Sequence, residues 1–149
     1  MEITIKTFDE LTKEELYRAL ALRNEVFIVE QECAYQDVDR KDMRAYHVFG
    51  KEKNRLVAYA RVFKKGDYFE NASIGRVLVK KEYRGKALAS ALMKSAISYI
   101  TTEMQEDTIA LSAQCYLTKF YNDLGFVSKG AEYLEDGIPH IKMVYRTKS

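Results

Sequence analysis

The sequence is poor in the residues that cross-link or interrupt small folds. Its 149 residues include two cysteines, one proline, seven glycines and no tryptophan. Cys33 and Cys115 are too few and too far apart for a disulfide framework, and no cysteine–histidine cluster has zinc-ligand spacing. We therefore exclude a disulfide-rich scaffold and a structural zinc module, expect no metal site, and expect a reducing, cytoplasmic environment.

Long apolar runs and a strong charge of one sign are also missing. No segment approaches the roughly 18 apolar residues of a membrane-spanning helix, and the N-terminus lacks the pattern of a signal peptide. The 24 basic and 22 acidic residues leave a formal net charge of +2, which by itself does not indicate nucleic-acid binding. We expect neither a membrane nor a nucleic acid as a partner.

The residues that are present have the balance of a globular protein. Hydrophobic residues make up 47% of the chain and charged residues 31%, and there is no linker, repeat or low-complexity segment. A chain of this length buries roughly 68–70% of the surface that its unfolded form exposes, which is enough for one core. We expect a single domain over residues 1–149.

The periodicity of apolar residues predicts the order β-α-β-β-β-α-β-α-β, a mixed α/β domain. A capping box formed by Thr12 and Glu15 marks the start of the first helix. The predicted elements are a strand over 3–6, a helix from Thr12, strands over 45–50, 56–63 and 73–79, a helix over about 84–103, a strand over 108–112, a helix over 114–124 and a strand over 140–145. The charged segment 30–44 is a candidate substrate loop.

A basic turn follows the strand over 73–79 and opens the longest helix. Between Arg76 and Lys94 there are six bases and one acid, a local excess of +5 in a nearly neutral protein. Helix N-terminal amides attract anions, and small side chains leave the main chain accessible there. These small residues are Gly85, Ala87, Ala89 and Ser90. A phosphate-bearing ligand is the economical interpretation, and a solvated basic helix start is the alternative.

This turn and a later aromatic segment together carry a family resemblance. The common nucleotide fingerprints G-x-x-x-x-G-K-[ST] and G-x-G-x-x-G are not found. The turn resembles motif A of the GNAT N-acetyltransferase superfamily, whose R/Q-x-x-G-x-G/A pattern falls on Arg84-Gly85-Lys86-Ala87-Leu88-Ala89. The segment Phe120-Tyr121-Asn122-Asp123-Leu124-Gly125-Phe126 is similar to the superfamily's F-Y-x-x-x-G-F motif. Segments 22–31, 35–39 and 135–140 are similar to its bacterial ElaA-like branch.

The resemblance implies a fold, a cofactor and a set of cofactor-binding residues. The implied fold is the GNAT acyl-CoA N-acyltransferase fold, with a mixed, mostly antiparallel central sheet flanked by helices. The implied cofactor is acetyl-CoA, with Val79 N–H as the oxyanion donor. The residues implied in cofactor binding are Val77, Leu78, Val79, Arg84, Gly85, Lys86, Ala87, Leu88, Ala89, Ser90 and Gln114. Ala87 stands where the motif usually has glycine, so the same backbone approach requires residue 87 to be helical rather than left-handed.

Acetyl transfer to an amine needs a proton donor for the leaving thiolate and a proton acceptor for the attacking amine. Tyr121 matches the family's general acid, because a phenol with an ordinary pKa of about 10 is protonated at neutral pH; a core contact with Phe126 is the alternative. The candidates for the base are His47, His140, Glu32, Asp37 and Asp39. We assign His140 and Glu32 to acceptor binding, with a structural role as the alternative for both histidines.

These features predict an acetyl-CoA-dependent N-acetyltransferase. It would move the acetyl group to a primary amine of a small molecule, peptide or protein by direct attack in a ternary complex, as a monomer or homodimer. A route through an acetylated Cys115 is less favoured, because neither histidine is adjacent in sequence. The alternative function is a non-catalytic acyl-CoA-binding or sensing module on the same fold. Nucleic-acid binding by the basic segment is disfavoured, because Tyr83 is its only interleaved aromatic residue.

Overall fold

One seven-stranded sheet organises the computed structural model, which describes residues 1–147. The strands are β1 (Glu2–Thr7), β2 (Tyr46–Glu52), β3 (Arg55–Phe63), β4 (Ala72–Val79), β5 (Thr108–Gln114), β6 (Val127–Glu135) and β7 (Ile138–Arg146). Their order across the sheet is β1-β2-β3-β4-β5-β7-β6. Only β4 and β5 run parallel, and the other neighbouring strands are antiparallel. The sheet is therefore mixed and mostly antiparallel, as predicted.

Three α-helices accompany the sheet: α1 (Lys13–Arg23), α2 (Leu88–Thr102) and α3 (Thr118–Asp123). The first helix begins at the predicted capping box, with the Glu15 N–H donating to the Thr12 hydroxyl at 3.0 Å. It continues into a π-helical segment, Asn24–Glu30. This geometry is rare in proteins, and where it occurs it often lies at a functional site. Within the described residues, no helix has both the length and the apolar character that crossing a membrane requires.

Apolar side chains alternate between the two faces of the sheet and form two cores. The larger core includes Val62 and Ile74 of the sheet and packs against Leu92, Ala96 and Ile100 of α2. The smaller core lies on the other face, where sheet residues pack against α1 and the π-helical segment; its buried members are Ala19, Leu22, Val26, Phe49, Tyr59 and Leu78. Successive strand residues point to opposite faces, so the central strands are apolar on both.

The structure differs from the sequence prediction at three elements. The strand β6 was not predicted, because most of its residues are exposed and it has no apolar face to reveal it. The helix predicted over 114–124 begins as α3 at Thr118, after a 3-10 turn at Cys115–Leu117, and Gln114 is the last residue of β5. The helix predicted from Arg84 begins at Leu88, because the preceding residues form a turn.

Candidate active site

A cleft opens in the middle of the sheet, where β4 and β5 separate. The two strands pair only at Ala72 with Ile109 and at Ser73 with Ala110. Beyond Ser73 they diverge around a cavity of about 530 Å³, which we call the central cleft. Its walls come from β4, β5, the start of α2, α3, the π-helical segment and the β6–β7 hairpin. The divergence leaves the edge of β4 free to contact a ligand.

A β-bulge causes β4 to turn at this point. Arg61 pairs with Gly75 and Tyr59 pairs with Leu78, so two residues of β4 oppose one residue of β3. Arg76 lies in the bulge with a left-handed φ of 50°. Bulges bend their strand and increase its twist, and this bulge is where β4 leaves the parallel pairing.

The strand pairing aims the Val79 N–H away from β3. Val79 lies opposite Ala58, and the N–H of Lys80 donates to the Val57 carbonyl at 2.7 Å. This pattern identifies a non-hydrogen-bonded antiparallel pair, whose own N–H and C=O groups point outward. The Val79 amide therefore faces the side from which β5 has withdrawn, which is the geometry required of the predicted oxyanion donor.

The start of α2 supplies free amide donors to the same cleft. The carbonyl of Ala87 accepts the first helical hydrogen bond, from Ala91 N–H at 3.2 Å, and no side chain caps this end. The first N–H groups of a helix have no partner inside it, so those of Leu88, Ala89 and Ser90 can bind an anion. All three residues line the central cleft.

Ala87 does not have the helical conformation that the sequence analysis required for the motif's usual backbone approach at this residue. Its φ of 61° and ψ of 22° are left-handed, and Gly85, two residues earlier, also has a positive φ of 82°. The turn needs both residues to reverse the chain before α2 begins. Alanine therefore holds a conformation that glycine adopts without steric cost. Its exposed side chain borders the cleft.

The Arg84 side chain is already engaged by protein groups. Its Nε donates to the Val79 carbonyl at 2.9 Å, and Nη2 donates to a Glu30 carboxylate oxygen at 2.9 Å. Nη1 donates to the other Glu30 oxygen, which makes the ion pair bidentate. These hydrogen bonds and the positive charge keep the pKa of Glu30 below its ordinary value. Arg84 borders the cleft, but its contacts in this structure are with the protein's own acceptors.

Much of the basic excess seen in the sequence is balanced by acids from elsewhere. Lys80 pairs with Glu25 at 3.1 Å, and Arg84 pairs with Glu30. Arg76 Nε donates to the Asp37 carboxylate at 2.7 Å. Three of the six bases between positions 76 and 94 are thus partnered by acids that precede the sheet's central strands. An anion at the start of α2 would therefore be held by the free amides as well as by net positive charge.

Tyr121 lies in α3 with its ring buried and its side chain at the cleft. The ring packs edge-to-face against Phe120 and Phe126, with centroids 5.0 and 6.0 Å away. Burial, followed by the nearby Tyr116, raises the pKa of Tyr121 above its ordinary value. The hydroxyl is therefore protonated across the neutral range and is suited to donate a proton. The predicted core contact with Phe126 coexists with this position.

His140 and Gln114 face each other across β5 and β7 and both line the cleft. The Nδ1 atom of His140 lies 2.7 Å from the Ile138 carbonyl, and a carbonyl only accepts, so Nδ1 carries the proton. In the neutral ring Nε2 is then a proton acceptor, 3.4 Å from a Glu135 carboxylate oxygen. The ring also stacks on Tyr133, with centroids 6.1 Å apart. The histidine is both oriented and accessible to the cleft.

Among the residues assigned above to catalysis, cofactor binding or acceptor binding, two lie away from the lining of the cleft. The structure brings the other predicted residues to the cavity wall: Val77, Leu78, Val79, Arg84, Gly85, Ala87, Leu88, Ala89, Ser90, Gln114, Tyr121 and His140. Lys86 is exposed beside the Tyr83 ring, with its Nζ 5.5 Å from the ring centroid. Glu32 is exposed and left-handed, with φ of 50°. Glu32 does not line the cleft, so its role in acceptor binding stays a prediction.

A buried ion network anchors the segment 30–44, the candidate substrate loop. Arg23 donates to Asp37 at 2.8 Å and to Asp42 at 2.7 Å, and Arg61 also contacts Asp42 at 2.9 Å. Arg61 donates to both oxygens of Asp39 as well, at 2.9 and 2.8 Å. Arg76 is the third arginine of the network. Three arginines and three aspartates are present, so the formal charges of the network cancel. The loop is fixed to the sheet beneath the cleft.

This network removes most of the candidate bases. Burial alone would raise the pKa of Asp39, but the hydrogen bonds and charge of Arg61 lower it to about 2. Asp37 is paired with two arginines. His47 is fully buried between the Tyr59 hydroxyl at 2.6 Å and the Asp42 carbonyl at 3.0 Å, and burial lowers its pKa. These three groups have structural roles, which leaves His140 as the candidate within the cleft.

Neither cysteine has the surroundings of an acyl-accepting thiolate. A hydrogen bond with Glu132 raises the pKa of the Cys115 thiol, which opposes thiolate formation. Cys33 lines the cleft, and its Sγ donates to the Asp136 carbonyl at 3.5 Å. No histidine–cysteine hydrogen bond occurs in the part of the chain that the structure describes. The geometry favours direct transfer over a cysteine intermediate.

The sequence analysis missed cleft residues that come from distant segments. Glu30 and Phe27 reach the cavity from the π-helical segment, and Tyr68 and Phe69 reach it from the β3–β4 connection. Tyr68 and Phe69 lie outside every motif, and Phe27 and Glu30 lie in the segment 22–31, to which the resemblance gave no site role. One signal could have predicted that two segments of the chain lie together. Segment 30–44 has an excess of acids and segment 76–94 an excess of bases, and opposite charges attract across a fold.

Comparisons with known proteins agree with this arrangement. Residues 7–147 match the family described as the acetyltransferase (GNAT) domain. Protein ElaA of Escherichia coli strain K12 is 41% identical over 136 residues, which cover 90% of this chain and 89% of ElaA. A UPF0039 protein of Synechocystis is 39% identical over 145 residues, which cover 93% of this chain and 91% of that protein.

Two solved structures have the same architecture. The crystal structure of an acyl-CoA N-acyltransferase from Pseudomonas aeruginosa gives a TM-score of 0.91 at 37% identity and covers 97% of this chain and 99% of that one. The crystal structure of E. coli ElaA gives a TM-score of 0.91 at 37% identity and covers 98% of this chain and 100% of that one.

Proposed function

Because the chain belongs to the GNAT acetyltransferase family, in its ElaA-like branch, we propose that it is an acetyl-CoA-dependent N-acetyltransferase. Family membership supports acyl transfer in general. The finer proposal is that an acetyl group passes to a primary amine of a small molecule or a peptide by direct attack in a ternary complex. We place this activity in the cytoplasm, where free cysteines such as Cys33 and Cys115 stay reduced.

The observation that carries the proposal is the convergence of three donors on one cleft. Uncapped amides at the start of α2 suit the pyrophosphate of the cofactor. The outward Val79 N–H suits the oxyanion of a tetrahedral intermediate, and the protonated Tyr121 suits the leaving thiolate. The amides of Leu88, Ala89 and Ser90, rather than that of the left-handed Ala87, therefore support an acyl-CoA molecule lying along the separated edge of β4.

Three groups of the protein then act in the proposed reaction. When bound, acetyl-CoA supplies the thioester that the amine attacks. The Val79 N–H stabilises the negative charge that develops on the carbonyl oxygen, a contribution of about 2.7–4 kcal/mol for one such donor. The Tyr121 hydroxyl gives its proton to sulfur as the thiolate leaves. His140 Nε2 accepts the amine's proton, directly or through one water.

The first experiment is calorimetric titration of the full chain with acetyl-CoA, repeated with Arg84→Ala. We expect saturable binding that the substitution weakens, because it removes a positive charge that borders the cleft beside the uncapped amides of α2. The variant Glu25→Gln is a control, since Glu25 pairs with Lys80 outside the cleft lining. A folded wild-type protein that does not bind acetyl-CoA would contradict both the enzyme proposal and the sensing alternative.

A panel of amines, amino acids, peptides and polyamines, assayed by release of the CoA thiol, tests for catalysis. With an accepted amine, Tyr121→Phe should retain acetyl-CoA binding and lose about 10²–10⁴-fold in turnover, the usual contribution of a general acid. Replacing the hydroxyl keeps the packing of the ring against Phe126. Binding without thiol release for any amine would favour the non-catalytic acyl-CoA-binding module.

A further inference from the structure

The carbonyl of Val79 is held by a chain of contacts that begins at Glu30. The peptide unit joining Val79 and Lys80 is fixed at both of its polar ends. Its N–H donates to the Val57 carbonyl at 2.7 Å, and its C=O accepts from Arg84 Nε at 2.9 Å. A planar peptide that is bonded on both edges has little freedom to rotate, so these two bonds hold the chain just beyond the Val79 N–H, which belongs to the preceding peptide unit.

The second bond depends on where the Arg84 guanidinium points. Arg84 follows the 3-10 turn at Lys81–Tyr83, and its side chain is partly exposed, with 40% of its surface accessible. Both terminal nitrogens bond the two carboxylate oxygens of Glu30, and this bidentate geometry fixes the guanidinium plane. Without Glu30, a long and partly exposed arginine side chain has many competing rotamers.

We propose that Glu30 is a positioning residue for the transfer reaction: it orients Arg84, which holds the Val79 carbonyl and so restrains the end of β4 from which the Val79 N–H points into the central cleft. This inference rests on the proposed function and adds a residue for which the family motifs give no role. It also connects the π-helical segment, which lines the central cleft, to the strand end that carries the predicted oxyanion donor.

The neighbouring pair Lys80–Glu25 makes a matched comparison possible. Glu25 and Glu30 lie on the same π-helical segment, and each pairs with a base of the segment after β4. Only the Glu30 partner also bonds Val79. Glu30→Gln and Glu25→Gln each remove one negative charge, but only the first breaks a contact that reaches the cleft. Partly exposed ion pairs contribute little to stability, so both variants should fold.

The test records the amide resonance of Val79 by ¹H–¹⁵N NMR in the full-length wild type and in both variants, and then compares turnover with acetyl-CoA affinity. In Glu30→Gln we expect the Val79 resonance to move and turnover to fall about tenfold, because a misplaced donor loses part of its effect, while the Kd for acetyl-CoA stays within twofold. In Glu25→Gln we expect all three quantities to match the wild type.

The outcomes separate this inference from the proposed function. A Val79 resonance that Glu30→Gln leaves in place overturns the positioning role, whatever the turnover. A loss of turnover equal in Glu30→Gln and Glu25→Gln also overturns it, because a general charge effect then explains both. If the wild type binds acetyl-CoA but acetylates no amine, the proposed function fails, and the Val79 resonance still decides whether Glu30 orders the strand end.

Discussion

The left-handed alanine at position 87 gives a prediction with a definite sign. Placing an L-residue in this conformation costs roughly 1–2 kcal/mol, and Ala87 has φ of 61°. Glycine removes that cost but makes the unfolded chain more flexible, which costs about 0.4–1 kcal/mol. The balance predicts that Ala87→Gly stabilises the protein by roughly 0.5–1 kcal/mol. In a domain of this size that raises Tm by roughly 1–4 °C.

An alanine inside α2 provides the opposite expectation. Ala91 is exposed and lies inside α2, where glycine is less favourable than alanine by about 0.8–1 kcal/mol. The same substitution should therefore stabilise at position 87 and destabilise at position 91. Urea denaturation at pH 7 measures both free energies of unfolding. If Ala87→Gly lowers the free energy of unfolding as Ala91→Gly does, residue 87 is helical in solution and the reasoning is wrong.

The buried ion network and the cysteine give three further predictions. The Asp39 pKa of about 2 lies below its unfolded value of about 3.9, so its stabilisation, at most about 2 kcal/mol once solvent screening of this partly exposed group is allowed for, is complete above about pH 5 and lost as pH falls towards 2. Denaturant unfolding between pH 2 and 5 should show this loss, and Asp39→Asn should reduce it. Asp42→Ala leaves Arg23 and Arg61 without a shared partner and should cost roughly 3–5 kcal/mol, measured by urea unfolding; a cost below about 1 kcal/mol contradicts a coupled network. Cys115→Ser should keep turnover within about twofold of the wild type. A variant that loses turnover would support an acetyl-cysteine intermediate.

Much of the fold was predictable because its signals are local. The capping box at Thr12 and Glu15, the hairpin of β2 and β3, and the apolar stripe of α2 each depend on residues a few positions apart. Two motifs then implied the GNAT fold, which the TM-scores of 0.91 confirm. The strand β6 escaped prediction because its residues are largely exposed, so no burial pattern distinguishes it from a loop.

The candidate site was predictable only where it lies on the motif segments. By itself, the sequence indicated the start of α2, Tyr121 and His140 as candidate groups for acyl transfer. Only the tertiary structure decided that β4 and β5 separate to bring them to one cleft, because strand divergence follows from a bulge and from pairing between distant residues.

The tertiary structure also decided which charges are free to act. From the sequence, Asp37, Asp39 and His47 are candidate bases, and Arg84 is a candidate phosphate ligand. In the fold, arginines from other elements neutralise the two aspartates, and burial makes His47 structural. Arg84 meets Glu30, which is 54 positions away. The sequence determines which groups ionise, but their partners depend on distances that the folded chain alone sets, because electrostatic interactions weaken with separation and solvent screening.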